Sequence, residues 1–212
     1  MKLIGMLDSP YVRRVAISLQ FLGLPFEHES VSVFSAYEKF RDINPVVKAP
    51  TLVCDDGDIL LDSTLILEYA EALAGTRSLM PANINERQRA LKVIGLALAA
   101  CEKSIQIVYE NKLRPEDKRH QPWLDRVAQQ LQSALSLIEK EFAAHPYSSQ
   151  RSHINQVGIA TAVMWHFTQQ MTPAAAPADR FPLLAAFSHA AEQLPEFLIA
   201  PFGDGTFPVQ PQ

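Results

Sequence analysis

Ser9 and the pair Asp62-Ser63 stand at helix starts, where polar side chains and unpaired N–H groups can hold an anion. Ser9 follows an apolar run, residues 2–7, and precedes Pro10, so its hydroxyl sits where a strand gives way to a helix start. From there it can donate an O–H hydrogen bond to a charged ligand, and a bond to the charged form lowers that group's pKa. Serine before proline is also an ordinary helix cap. Asp62-Ser63 opens a second helical pattern, where unpaired N–H groups and the positive end of the dipole favour an anion. Both types are common caps too. Ala49-Pro50, just before a β-rich run, reads on its own as a proline at a strand start, and Lys48 as a solvated lysine. Cys54 and Cys101 lie in apolar surroundings without CxxC or metal-ligand spacing, so they read as reduced core residues, not as a disulfide or zinc site.

The patterns around these residues alternate between two periods. Residues 2–7 suit a buried strand, and Val12, Val15, Ala16, Leu19 and Leu22 then recur at helical spacing up to Gly23. Phe26 to Val33 predicts a second strand, parallel to the first because a helix connects them, and residues 37–43 a short helix before Asn44-Pro45. Thr51 to Cys54 and Ile59 to Leu61 flank Asp55-Asp56-Gly57-Asp58, a hairpin signal. Ile66, Tyr69, Ala70 and Leu73 mark a helix ended by Gly75. The order is βαβαββα with a mixed sheet. Beyond Gly75 β-rich alternation disappears. Leu91 to Val108 and Leu124 to Phe142 predict two long amphipathic helices, about Asn155 to Gln169 a helix apolar nearly all round, and about Leu183 to Gln193 a last one. Gly75 to Asn83 breaks both periods and reads as a linker.

The chain has 212 residues, 48% apolar and 20% charged, a globular composition with room for one or two domains. Its net charge of −4, without a basic block, argues against nucleic acid as a partner. Residues 1–7 are too short an apolar core for a secretory signal. The stretch near Ile94 to Cys101 falls short of the ~18 residues a membrane span needs. A cytoplasmic protein with no membrane contact is expected.

Four stretches combine into one pattern: Ser9-Pro10-Tyr11-Val12-Arg13-Arg14-Val15, Asn44 to Leu52 (NPVVKAPTL), Leu61-Asp62-Ser63, and Phe181 to Phe187 (FPLLAAF). Together they resemble the cytosolic glutathione S-transferase family over essentially the whole chain. Within it they look most like bacterial YibF-type transferases and, more distantly, the omega class, where cysteine takes the place of the serine. The resemblance implies a thioredoxin-like glutathione-binding domain at residues 1–78, a linker at 75–83, and an all-α helical-bundle domain at 84–212 that contributes the pocket for an electrophile. It implies reduced glutathione as co-substrate with no tightly bound cofactor and no metal, a small electrophilic second substrate, and a homodimer. Ser9 would hydrogen-bond the glutathione thiolate as the catalytic residue. Ala49 would bind the cysteinyl backbone beside a cis Pro50, Lys48 the glycine carboxylate, and Asp62 and Ser63 the γ-glutamyl ammonium and carboxylate. Tyr11, Tyr109 and Trp165 are candidates for the electrophile pocket, while core or surface packing is the plainer reading of each. Arg13 and Arg14 are expected to support the fold or the domain interface and to carry no chemistry.

Two positions depart from the family pattern. Val47 stands where glycine is usual, so the turn leading to Lys48 is expected to differ. Ahead of the buried helix, His153 and Gln156 stand where Ser or Thr and Asp would form a cap. The same fold also serves non-catalytic proteins, including stringent-starvation proteins that bind RNA polymerase, and an interaction module of that kind is the alternative function. Serine in place of cysteine argues against a mixed disulfide with the protein.

Overall fold

The computed structural model describes residues 1–205. Contacts divide the chain into two compact units, Met1–Leu79 joined by the chain from Gln193 onward, and Met80–Glu192.

In the first unit the elements run β1 (Lys2–Ile4), α1 (Pro10–Leu22), β2 (Glu27–Glu29), α2 (Tyr37–Ile43), β3 (Thr51–Val53), β4 (Ile59–Leu61) and α3 (Ser63–Ala74). The sheet order is β2-β1-β3-β4. β1 and β2 are parallel in the register Leu3↔His28, and β3 is antiparallel to both β1 and β4. This is the predicted βαβαββα mixed sheet. β2 is shorter than the sequence pattern predicts, because its partner β1 ends at Ile4 and Gly5 turns the chain at φ 134°. Strand alternation sends Ile4 toward Phe40 of α2 and Val31, with Val47 and Ala49 packed on the same cluster. α1 and α3 pack against each other. Their inward residues Val12, Val15, Ala16, Leu19, Ile66 and Ala70 are buried.

The expected helical domain ran from 84 to 212, whereas the chain from Gln193 groups by its contacts with the first unit. It carries a four-residue helix, α8 (Pro195–Leu198), when helices are numbered through the second unit, and it belongs with the first unit, not with the helical part. The cause is Arg13. Its side chain is buried in α1 and donates from Nε to Ala200 O at 2.7 Å and from Nη2 to Phe197 O at 3.4 Å, with the Phe197 ring 5.7 Å from the guanidinium. Fold support, as expected for Arg13, is what these contacts provide. Residues 206–212 of the predicted helical range lie outside the described residues.

The second unit contains α4 (Ile84–Lys112), α5 (Gln121–Ala144), α6 (Gln156–Met171) and α7 (Pro182–Ala191), and no strand among the described residues. α4 packs along α5 and α6, and α7 along α5 and α6. α6 is buried nearly all round, as its sequence predicts. A Ser104–Thr168 hydroxyl pair at 2.9 Å joins it to α4. Its cap differs from expectation. Asn155 accepts from the N–H groups of Val157 (3.0 Å) and Gly158 (3.2 Å), so the helix starts at Gln156 and His153 stands outside it. α7 is capped from a distance: the Glu139 carboxylate on α5 accepts from Leu183 N (2.8 Å) and Leu184 N (3.0 Å). Among the described residues no helix is long and apolar enough to cross a membrane.

Candidate functional site

Ser9 lies at the N-cap of α1, with extended backbone (φ −73°, ψ 121°) and Pro10 at the first helical position. Its Oγ accepts from Val12 N–H at 3.5 Å, a long cap bond that leaves the hydroxyl proton free to donate elsewhere. The loop that carries it is drawn against Ala49 at Gly5, where an added Cβ would stand 2.6 Å from Val12 Cγ2 and 3.1 Å from Ala49 Cβ. Any larger residue at position 5 would push these segments apart. Neighbouring Asp8 has its carboxyl raised by burial; the bond from Ser9 N–H lowers it and the charge of Asp204 raises it further.

The segment before β3 is organised by Asn44, which is buried. Its Oδ1 accepts from Val46 N–H at 3.0 Å and its Nδ2 donates to Thr51 Oγ1 at 2.8 Å, while Thr51 Oγ1 donates to Lys48 O at 2.7 Å. Val47 completes the turn at φ 50°, with its N–H donating to Asn44 O at 2.9 Å. A left-handed conformation is uncommon for a β-branched residue. The turn therefore keeps the shape a glycine would allow, and the departure at Val47 costs strain instead of changing the loop. Ala49-Pro50 is cis, and among the described residues the N–H and C=O of Ala49 make no hydrogen bond.

Asp62 is the N-cap of α3. It too has positive φ (73°), and its Oδ1 accepts from Thr64 N–H at 2.8 Å. Lys48 Nζ lies 3.6 Å from Asp62 Oδ2, both side chains about half exposed. Burial raises the Asp62 carboxyl, but the Thr64 N–H and Lys48 outweigh it, and the group lies below the ordinary carboxylate range. Ser63, the first residue of α3, is buried, and Arg14 Nη1 donates to its Oγ at 3.4 Å. The structure thus joins Lys48, Asp62 and Ser63 at one helix start and brings Ala49 beside the Ser9 loop. Asn44 is a participant that the sequence left without a role, and Arg14, expected only as structural support, meets Ser63.

Residues 3–78 match the N-terminal domain family of glutathione S-transferases. Over these residues the chain is similar to glutathione S-transferases. Similar to it over most of the chain is the GST-like protein YibF of Escherichia coli K12, itself uncharacterized, 27% identical over 173 residues that cover 82% of this chain and 85% of YibF. A glutathione transferase family member from Pseudomonas fluorescens Pf-5, solved with bound glutathione, is 28% identical with a TM-score of 0.81, over 93% of this chain and 96% of that one. A glutathione S-transferase of Methylobacterium radiotolerans, in complex with glutathione sulfonate, is 25% identical with a TM-score of 0.84, over 93% and 92%.

The three aromatic candidates differ in their surroundings. Tyr11 is half-buried on α1. Tyr109 is exposed on α4 and lines a concavity of about 430 Å³ with Gln106, Glu110, Leu113, Arg114, Pro115 and Trp123. Trp165 is buried and packs edge-on against Phe181 with ring centroids 5.8 Å apart, so it is core and does not border that concavity. Trp123, which the sequence reading did not single out, takes its place beside Tyr109. Both cysteines are buried, and burial first of all pushes the Cys54 thiol up, away from the reactive thiolate form.

Proposed function

We propose that this chain is a glutathione S-transferase that binds reduced glutathione in its first unit and transfers the thiol to a small electrophile. The observation that carries the reading is the convergence at the start of α3, where Ser63, Asp62 and Lys48 gather beside α1. Ser63 and the α3 N–H groups take the γ-glutamyl carboxylate, Asp62 the ammonium, Lys48 the glycine carboxylate, and the Ala49 backbone pairs with the cysteinyl unit like an added strand. Because Lys48 and Asp62 already offset each other, a ligand carrying both charges exchanges one ion pair for two. Ser9 donates an O–H hydrogen bond to the thiolate and keeps its proton. The thiol proton leaves to solvent, the sulfur–carbon bond forms, and in a substitution the leaving group departs with its electron pair.

The Tyr109–Trp123 concavity supports an apolar, flat second substrate. Leu65, Tyr69 and Leu73, exposed at four-residue spacing along α3, support a homodimer in which a second copy covers this stripe. We place the protein in the cytoplasm, acting on reactive small molecules. Calorimetric titration with glutathione tests the reading: saturable heat with thermal stabilisation is expected. Neither heat nor stabilisation at millimolar glutathione, about the level of a weak ligand, would leave the interaction-module alternative in the lead.

A further inference from the structure

We infer that Arg14 is a positioning residue that occupies an acceptor site of Ser63 and turns its hydroxyl proton toward the ligand, and thereby favours a carboxylate there. This rests on the glutathione reading above and adds to it the reason for the preference. A guanidinium carries N–H donors and no acceptor, so the direction of the Arg14 Nη1–Ser63 Oγ bond at 3.4 Å is fixed: Ser63 accepts. A serine hydroxyl has one proton and two lone pairs. With a lone pair taken by Arg14, and with no other hydrogen bond to Ser63 Oγ among the described residues, its proton is left for a ligand acceptor.

Three features hold the arrangement. Arg14 is 4% and Ser63 3% exposed, so water cannot readily replace either partner. Ser63 is the first residue of α3, where its own N–H is unpaired by the helix and points the same way as its neighbours. The cationic Arg14 stands behind the hydroxyl and favours negative charge in front of it. An ammonium in the carboxylate's place would meet the like charge of Arg14, and a neutral amide would gain no charge-assisted bond from the hydroxyl.

The test uses two peptides and the full chain: reduced glutathione, and 4-aminobutyryl-cysteinylglycine, which lacks only the γ-glutamyl carboxylate. Wild type is expected to prefer glutathione by on the order of tenfold or more, the range of one charge-assisted hydrogen bond. Arg14→Gln, whose amide can accept as well as donate, should lose most of that preference and leave the affinity for the truncated peptide nearly unchanged. Arg14→Lys, still only a donor, should retain the preference. Ser63→Ala should reduce it to what the α3 N–H groups alone supply, with no further loss in the Arg14→Gln/Ser63→Ala pair. Equal weakening of both peptides by Arg14→Gln, or an additive double variant, overturns the inference. Should Arg14→Gln not fold, Ser63→Ala decides, because an undiminished preference in it is equally fatal. A wild type that binds glutathione without preferring it sinks this inference alone; one that binds neither peptide sinks the proposed function with it.

Discussion

Replacing Ser9 separates two jobs that one hydroxyl holds at once. As a cap, its Oγ accepts from Val12 N–H at 3.5 Å, long enough to place it at the low end of the ~0.5–2 kcal/mol a cap contributes. Ser9→Ala should therefore lower the melting temperature by only about 1–3 °C, at ~2–4 °C per kcal/mol for a chain of this size. Ser9→Gly, a nearly equivalent cap, should lower it less. As a thiolate donor the same hydroxyl is worth more, ~1.5–3 kcal/mol for a hydrogen bond to a charged group. At 1.36 kcal/mol per pKa unit, its loss raises the bound thiol by about one to two units. The sign is fixed, since donation favours the thiolate and its removal favours the thiol. Ultraviolet absorbance of the bound thiolate, followed against pH, should shift equally in Ser9→Ala and Ser9→Gly. Turnover with a chloronitrobenzene should fall about tenfold or more below the wild-type pKa and converge with wild type at high pH. If neither variant moves the thiol pKa while both alter stability as caps, Ser9 is a cap and the catalytic assignment is wrong.

Three further outcomes follow from particular residues. At Val47 the usual order of alanine and glycine should invert: the left-handed φ of 50° costs a residue with a Cβ ~1–2 kcal/mol, against ~0.5–1 kcal/mol for glycine's extra chain entropy. Val47→Gly should then be more stable than Val47→Ala by about 0.5–1 kcal/mol in urea unfolding, and the reverse order would refute the strained turn. His28 is buried with Nε2 2.7 Å from Gly5 O, and burial lowers its pKa from 6.5 although that carbonyl raises it. The fold favours neutral imidazole, so His28's share of stability is whole above pH 6.5 and fades as pH falls toward the lower folded value. The stability gap between wild type and His28→Gln should narrow on acidification, whereas a constant gap means the ring does not titrate differently in the two states. Leu65→Lys together with Leu73→Lys should shift the chain to monomer by light scattering without lowering helicity; an unchanged mass moves the dimer surface elsewhere.

Where a residue's partner lies a few positions away, the sequence is a sufficient guide. The strand and helix periods, the cap Ser9, the turn at Asp55 to Gly57 and the α3 start at Asp62-Ser63 are local, and the structure has each of them. Distant partners were not legible. Arg14 meets Ser63 across 49 residues, Glu139 caps α7 across 44, and Arg13 finds Ala200 across 187, and nothing in a neighbouring dipeptide signals such pairs. Asn44 acts within seven residues, yet Asn-Pro reads equally well as a plain turn until Thr51 is seen to share its bond. His153 shows the opposite error. The family pattern pointed to it, but Asn155 two residues on satisfies two helix N–H groups at once and fixes the start of α6.

The contact between Arg13 and Ala200 also orders events in time. On the ribosome, α1 emerges early, yet two carbonyls that receive its buried guanidinium are made only after another 180 or so residues have been joined. The unit that begins the chain is thus among the last parts of it to be completed. Until then the nascent α1 carries a cation whose tertiary acceptors do not yet exist, which favours keeping that helix hydrated over early burial. A ribosome-bound chain halted at residue 192 should accordingly leave α1 protease-sensitive, and one that has released Ala200 should not.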